Sequence, residues 1–175
     1  MLENKENMSF SPVFTPLLGA MEDACNAVIL ARLLPAMPSS RVSEKEFFNP
    51  ILSSIDQKKW KYYQDELKKL ERTLVFRSPI SPMGHLKFCL EYAIKSKEVL
   101  GGVLGAIKLQ FGSEQDKQLL DLLASAYQFR NKYIAHQEQA TVTKDLAHEQ
   151  LTVWRTTLRM LYEEGRPSPL VERNA

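Results

Sequence analysis

The stretch Ser-Glu-Gln-Asp-Lys-Gln-Leu-Leu-Asp-Leu-Leu-Ala-Ser-Ala-Tyr-Gln-Phe-Arg-Asn-Lys-Tyr-Ile-Ala-His, residues 113–136, decides the reading of this chain. Ser113 with Asp116 three residues on is a capping-box-like start, in which side chain and backbone exchange hydrogen bonds at a helix N-terminus. The leucine-rich run from Leu119 to Ala126 reads as a core helix. The spacing predicts one helix from about Glu114 to His136 or a little beyond. Arg130 enters it close to the apolar face, and an unpaired guanidinium in a core costs several kcal/mol or more. That charge needs a reason.

Outward from this helix the same pattern repeats. Ala147, Leu151, Trp154, Leu158 and Leu161 step by four and three, an apolar seam suited to a bundle, started by Thr141 or Thr143 and stopped by Gly165 and Pro167. Towards the N-terminus, Leu86, Leu90, Ala93, Leu100, Leu104 and Ile107 mark a helix predicted from near Ser81 to about Phe111. Gly101, Gly102 and Gly105 interrupt it, so either the helix breaks there or another backbone approaches closely. Trp60, Tyr63, Leu67, Leu70 and Leu74 form a narrow stripe on a helix predicted over about 50–76. Its opposite face carries Lys58, Lys61, Asp65, Lys68, Lys69 and Arg72; a solvated face is the plainer reading, an RNA-binding patch the sharper one. Ser43, Glu44 and Glu46 suggest a short helical turn broken near Pro50. Leu17, Met21, Ala24, Cys25 and Val28 recur at helical spacing from Pro16 to Leu34.

These elements predict an all-α fold, an up-and-down antiparallel bundle of four to five long helices. Residues 1–15 read as a flexible lead, 16–164 as a single helical domain and 165–175 as a flexible tail. A chain of 175 residues, 44% hydrophobic and 25% charged, can bury one good core. The net charge of +2 excludes a strongly basic nonspecific nucleic-acid binder, so any such contact must be local. Cys25 and Cys89 are too few for a disulfide framework or a zinc site, and no metal or other cofactor is expected. The apolar run Val99 to Ile107 is far short of the ~20 residues that span a bilayer. Met1 to Asn7 has no apolar signal core, so a soluble cytoplasmic protein without membrane contact is expected.

Several catalytic constellations are absent. There is no Gly-x-Ser-x-Gly elbow and no His-Glu-x-x-His, and His136-Gln137-Glu138 lacks the Pro-Cys-x-x-Cys half of a zinc deaminase. His85, after Gly84 at a helix start, reads as a surface or packing histidine. What remains is Arg130-Asn131-Lys132-Tyr133-Ile134-Ala135-His136: arginine, a polar residue directly after it, and histidine six positions on. This resembles the mark of the HEPN superfamily (higher eukaryotes and prokaryotes nucleotide-binding), Arg, four to six residues, His. Asn131 and Ala135 match its extended form, and the resemblance covers roughly residues 16–164.

The resemblance implies a metal-independent endoribonuclease of the toxin, abortive-infection or antiphage-defence kind, working as a homodimer on RNA. An antitoxin, sensor or regulatory subunit would hold it off. The alternative is a non-catalytic HEPN-like bundle that binds RNA, a nucleotide or a protein partner. One family variant carries a modified Tyr two residues after the His; here that position is Glu138, a departure from that antitoxin-paired subgroup.

The chemistry suits the residues. A histidine titrates near neutral pH and can take or give a proton, so His136 is the candidate general base or acid. A guanidinium forks onto phosphate oxygens, so Arg130 is the candidate clamp on the charge that builds at phosphorus. Asn131 would orient either one or the phosphate. Lys132 and Tyr133 are candidate RNA contacts, with solvent and core packing as their plainer fates. On the last helix His148, Thr152, Arg155 and Arg159 share one polar face, a candidate RNA rail or simply an exposed face. On a straight α-helix, six residues turn roughly 600°, leaving Arg130 and His136 about 120° apart. They meet at one phosphate only if the helix bends or if a second protomer completes the site.

Overall fold

In the computed structural model, residues 11–50, 56–135 and 142–164 are described. They form seven α-helices with no strand among them: α1 (Ser11–Leu33), α2 (Arg41–Phe48), α3 (Gln57–Leu74), α4 (Pro82–Lys95), α5 (Gly102–Gln110), α6 (Glu114–Phe129) and α7 (Lys144–Glu164). A 3₁₀ turn, Leu34–Ala36, follows α1, and a wide-turn helix, Arg130–Ala135, follows α6. The chain is an all-α helical bundle. Four helices close a circuit, α1 packing on α4 and α7 while α6 packs on the same two. Around that circuit they follow chain order, as an up-and-down bundle requires. Against it lean α5, on α4, and α2, on α5; α3 lies on α4 and α1. No described helix is long and apolar enough to cross a membrane.

Two of the capping signals of the sequence hold in detail. Ser113 Oγ accepts the Asp116 amide at 3.1 Å and Asp116 Oδ2 accepts the Ser113 amide at 2.9 Å, a complete capping box. Thr143 Oγ1 accepts the Leu146 amide at the start of α7. For α2 the cap lies three residues earlier than the acidic cluster suggested: Ser40 is the N-cap and accepts the amide of Ser43. The stop at Gly165 and Pro167, and the tail from 165, lie outside the described residues.

Three expectations change. The first helix does not wait for Pro16. It is already formed at Ser11, with Pro16 inside it and Phe14, expected in a flexible lead, fully buried. An interior proline costs about 3 kcal/mol, and burying a phenylalanine returns roughly 1.5–3 kcal/mol. Phe14 adds ring contacts with Phe129 at 4.8 Å and Trp154 at 5.3 Å, worth about 0.5–1.5 kcal/mol each. The packing wins. The helix expected over 50–76 is α3, described from Gln57 with Asp56 as N-cap; residues 51–55 lie outside the described set. It is a flank of the bundle and not one of its four central members.

The helix expected over 81–111 is two. Both glycine alternatives apply at once, because Gly102 has φ +64° and a Cβ there would sit 2.4 Å from the Phe47 carbonyl oxygen. The helix breaks because the α2 backbone occupies the space. Glu98 pins the break to α3 by accepting the Tyr63 hydroxyl at 2.9 Å and Lys59 Nζ at 3.1 Å. The Lys108 ammonium donates to the Ser96 carbonyl across the gap.

Two expected outcomes follow from these contacts. Gly102→Ala lowers stability by more than about 1 kcal/mol, because left-handed backbone and a carbonyl both oppose the methyl group; Gly101→Ala, whose Cβ meets nothing within 4 Å, is the control in the same denaturation series. Burial alone would raise the Asp116 carboxyl, but the Arg32 guanidinium at 2.7 Å and the Ser113 and Gly112 amides hold it below its ordinary value. A carboxyl lowered in the fold stabilises fully above its unfolded value, near pH 4, and loses that contribution as pH falls through the folded value. Asp116→Asn is therefore expected to cost about 3 kcal/mol at pH 7, and the gap to wild type should narrow at pH 3. A gap that stays constant on acidification would overturn the assignment.

Candidate functional site

Regular α-helix ends at Phe129, which is buried among Phe14, Trp154 and Tyr133. The Arg130 amide is shared between the carbonyls of Ala126 and Tyr127, and the ladder then widens through Arg130–Ala135. The expected straight α-helix through His136 is thus corrected: winding of this type closes i→i+5 hydrogen bonds, and it concentrates at functional sites. The 120° separation calculated for α-helical winding no longer applies to this segment. His136 itself lies outside the described residues, as does Glu138.

Arg130 is half-buried. Its Nη1 donates to Asn131 Oδ1 at 2.9 Å, while its Nε is buried with no hydrogen-bond partner. An unsatisfied buried donor costs about 1–3 kcal/mol. Its charged neighbour is Glu22 of α1, whose Oε2 accepts the Met83 amide in the first turn of α4 at 2.7 Å. Burial raises the Glu22 carboxyl above its ordinary value, against the opposing pull of that amide and of Arg130. Glu22 of α1 thus links the first turn of α4, by a hydrogen bond, to the Arg130 charge at the end of α6. The guanidinium is a forked cation whose Nη1 is held by Asn131 and whose buried Nε has no partner, a group able to pair with an anion where its remaining N–H donors are open.

The other predicted residues divide into two groups. Lys132 is exposed, its ammonium 5.0 Å from the centre of the Tyr133 ring, and Tyr133 packs on Phe129 at 4.9 Å. His148, Arg155 and Arg159 are exposed on α7, opposite buried Trp154, with Thr152 donating to the His148 carbonyl. The cleft that contains Asn131 and Lys132 is lined by α4 and α6 and by no residue of α7. The structure therefore does not join the α7 face to the motif.

What sequence reading missed is a groove beside the motif. Two clefts, of about 410 and 250 Å³, run between α3 and α4, and share Tyr62, Phe88 and Glu91. A third, of about 670 Å³ between α4 and α6, shares Lys87, Glu91 and Tyr127 with the second and ends at Asn131 and Lys132. Tyr62, Tyr63, Phe88 and Tyr92 form an aromatic cluster along the first, with Tyr62 still 51% exposed. Adjacent Tyr62 and Tyr63 were the available signal, since neighbouring helix residues cannot both face one core stripe.

Among the described residues no three His, Cys, Asp or Glu side chains gather as a metal site would require. Burial raises both cysteine thiols, which marks Cys25 and Cys89 as packing residues. Comparisons with protein-family models, with curated proteins and with solved structures gave no match.

His85, expected at the surface or in packing, is 2% exposed at the wall of the second cleft, with Nδ1 unpartnered and Nε2 3.8 Å from Glu66. Burial lowers its pKa, with Lys69 adding to the effect and Glu66 opposing it. A histidine lowered in the fold resists protonation, so stability declines as pH falls below the unfolded value near 6.5. Thermal melts at pH 7.5 and 5.5 should show a smaller acid-induced loss in His85→Gln than in wild type; equal losses would show that His85 does not titrate against the fold.

Proposed function

We propose that this chain is a HEPN-type, metal-independent endoribonuclease that acts as a homodimer. Its proposed setting is the cytoplasm, as a toxin or antiphage-defence effector restrained by an antitoxin, sensor or regulatory subunit. The observation that carries the reading is the Arg130–Asn131 pair. It stands at the head of a wide-turn helix with a guanidinium donor left without a partner, and its Asn131 lines the cleft that Lys87 and Lys132 also border.

In this reading the RNA 2′-hydroxyl attacks the adjacent phosphorus. His136 removes the proton from that hydroxyl, and His136 of the partner subunit returns one to the departing 5′-oxygen. The products are a 2′,3′-cyclic phosphate and a free 5′-hydroxyl. Arg130 binds the non-bridging oxygens as their charge grows. Asn131 holds the guanidinium plane through its Oδ1.

A second reading has one observation on its side. Glu22 lies close enough to Arg130 for their charges to interact, so the guanidinium can also serve as the electrostatic partner of a half-buried carboxylate. That suits a non-cleaving bundle which binds RNA, a nucleotide or a protein partner.

Incubation of purified protein with single-stranded RNA in EDTA separates the two. Cleavage to cyclic-phosphate ends is expected, with His136→Ala at least 100-fold slower and Arg130→Ala similarly impaired, both still dimeric by light scattering. Unchanged cleavage in either variant would remove that residue from the mechanism. Absence of cleavage by wild type, with RNA still bound, would favour the second reading.

A further inference from the structure

We infer that single-stranded RNA runs along the α3–α4–α6 groove, with bases stacked against Tyr62 and Tyr127, and not along the polar face of α7. The inference rests on RNA being the ligand, and it names the track by which RNA reaches the motif.

Continuity is the first argument. The three clefts share lining residues in turn, so they adjoin one another from Lys97 and Glu98 beyond the end of α4 to Asn131 and Lys132, with the Tyr62–Phe88 ring pair between the first two. The path follows α4, a helix of 14 residues and hence roughly 20 Å, long enough for a short run of nucleotides.

Charge is the second. The lining contains six lysines, Lys59, Lys69, Lys87, Lys95, Lys97 and Lys132, against three glutamates. That surplus of three positive charges exceeds the net +2 of the whole chain, so the rest of the molecule is slightly acidic. Lys59 pairs with Glu98, Lys69 with Glu66, and both Lys87 and Lys95 with Glu91, so the surplus lies at Lys97 and Lys132, at the two ends of the track, and around Glu91, where two ammoniums share one carboxylate.

Aromatic placement is the third. Tyr62 meets Phe88 edge-on, at 5.8 Å and 76°, and half of its surface remains open. Its hydroxyl is pushed up to about 12, chiefly by burial, so it stays a neutral donor at any physiological pH. Tyr127 lies over Gly84, where a Cβ would come within 3.4 Å of the ring, and it lines both the second and third clefts. Tyr62 is exposed and Tyr127 half-buried, and rings of this kind between cations are the platform that unstacked bases need; a duplex cannot offer its bases to them. The α7 face also carries rings beside its cations, His148 and the 59% exposed Tyr162, but no residue of α7 lines the cleft that reaches Asn131 and Lys132.

The test uses the full chain carrying His136→Ala, so that bound RNA survives, and a fluorescent single-stranded 12-mer titrated by anisotropy. Tyr62→Ala should weaken binding roughly 5- to 150-fold, the range for loss of one stacked base. Tyr62→Phe, which keeps the ring, should bind like the parent. Lys95→Gln with Lys97→Gln should flatten the slope of log Kd against log salt by about 1.4 if each lysine meets a phosphate. A duplex of the same sequence should bind more weakly than the single strand. A larger loss from Arg155→Ala with Arg159→Ala than from Tyr62→Ala would overturn the groove, as would a duplex that competes equally or no RNA binding at all. The two readings fail separately. Cleavage by wild type that ignores Tyr62 sinks the groove and leaves the nuclease; groove-dependent binding without cleavage by wild type sinks the nuclease and leaves the groove.

Discussion

Phe14, Phe129 and Trp154 meet ring against ring, and most of the arrangement depends on that contact. It ties α1, α6 and α7 together at one level of the bundle. It also fixes where α6 stops being an ordinary helix, because Phe129 is the last residue of regular winding and Arg130 is the next. Trp154 is wholly buried, so the last helix cannot roll without opening the core. The position of Arg130 is thus set by apolar packing on its N-terminal side. Its charge is answered by Glu22 from a different helix.

The same division of labour recurs at the opposite flank. Burial of Asp116 would be costly for a lone carboxylate. Arg32, the Ser113 amide and the Gly112 amide make it favourable, and they join the C-terminal part of α1 to the beginning of α6. The Arg32 guanidinium also stacks on Phe111 at 4.7 Å. Both ends of α6 are therefore held by α1, through an ion pair at one end and through rings at the other. The motif follows from a helix with two fixed ends.

Much of this was legible in the sequence wherever the cause is local. The Ser113–Asp116 capping box, the Thr143 start, the α7 seam and the glycine-marked interruption each depend on a few neighbouring residues. Where the cause is tertiary, the sequence could not reveal it. Pro16 argues for a helix start until Phe14 is seen packed on residues more than a hundred positions away. Gly102 could mark a break or a close approach, and the Phe47 carbonyl makes it both. The wide turn after Phe129 has no sequence signature, since its residues also suit an α-helix. Arg130 and Asn131 were found as a motif, and the structure pairs them. The groove was overlooked because its residues come from three helices, and its most exposed ring, Tyr62, lies just off the stripe that periodicity picks out.

The first turn of α4 has a consequence for how the protein assembles. Ser81 sits in the left-handed region at φ 51° and gives its helix no side-chain cap; the Met83 amide is satisfied instead by Glu22, 61 residues earlier. A helix that borrows its cap from another helix is incomplete by itself. Until α1 docks, α4 frays at its leading turn, and once α1 docks, Glu22 closes that turn and faces Arg130 together. Formation of this secondary structure is thereby coupled to tertiary assembly, and α1, α4 and the start of the wide turn order as one cooperative unit.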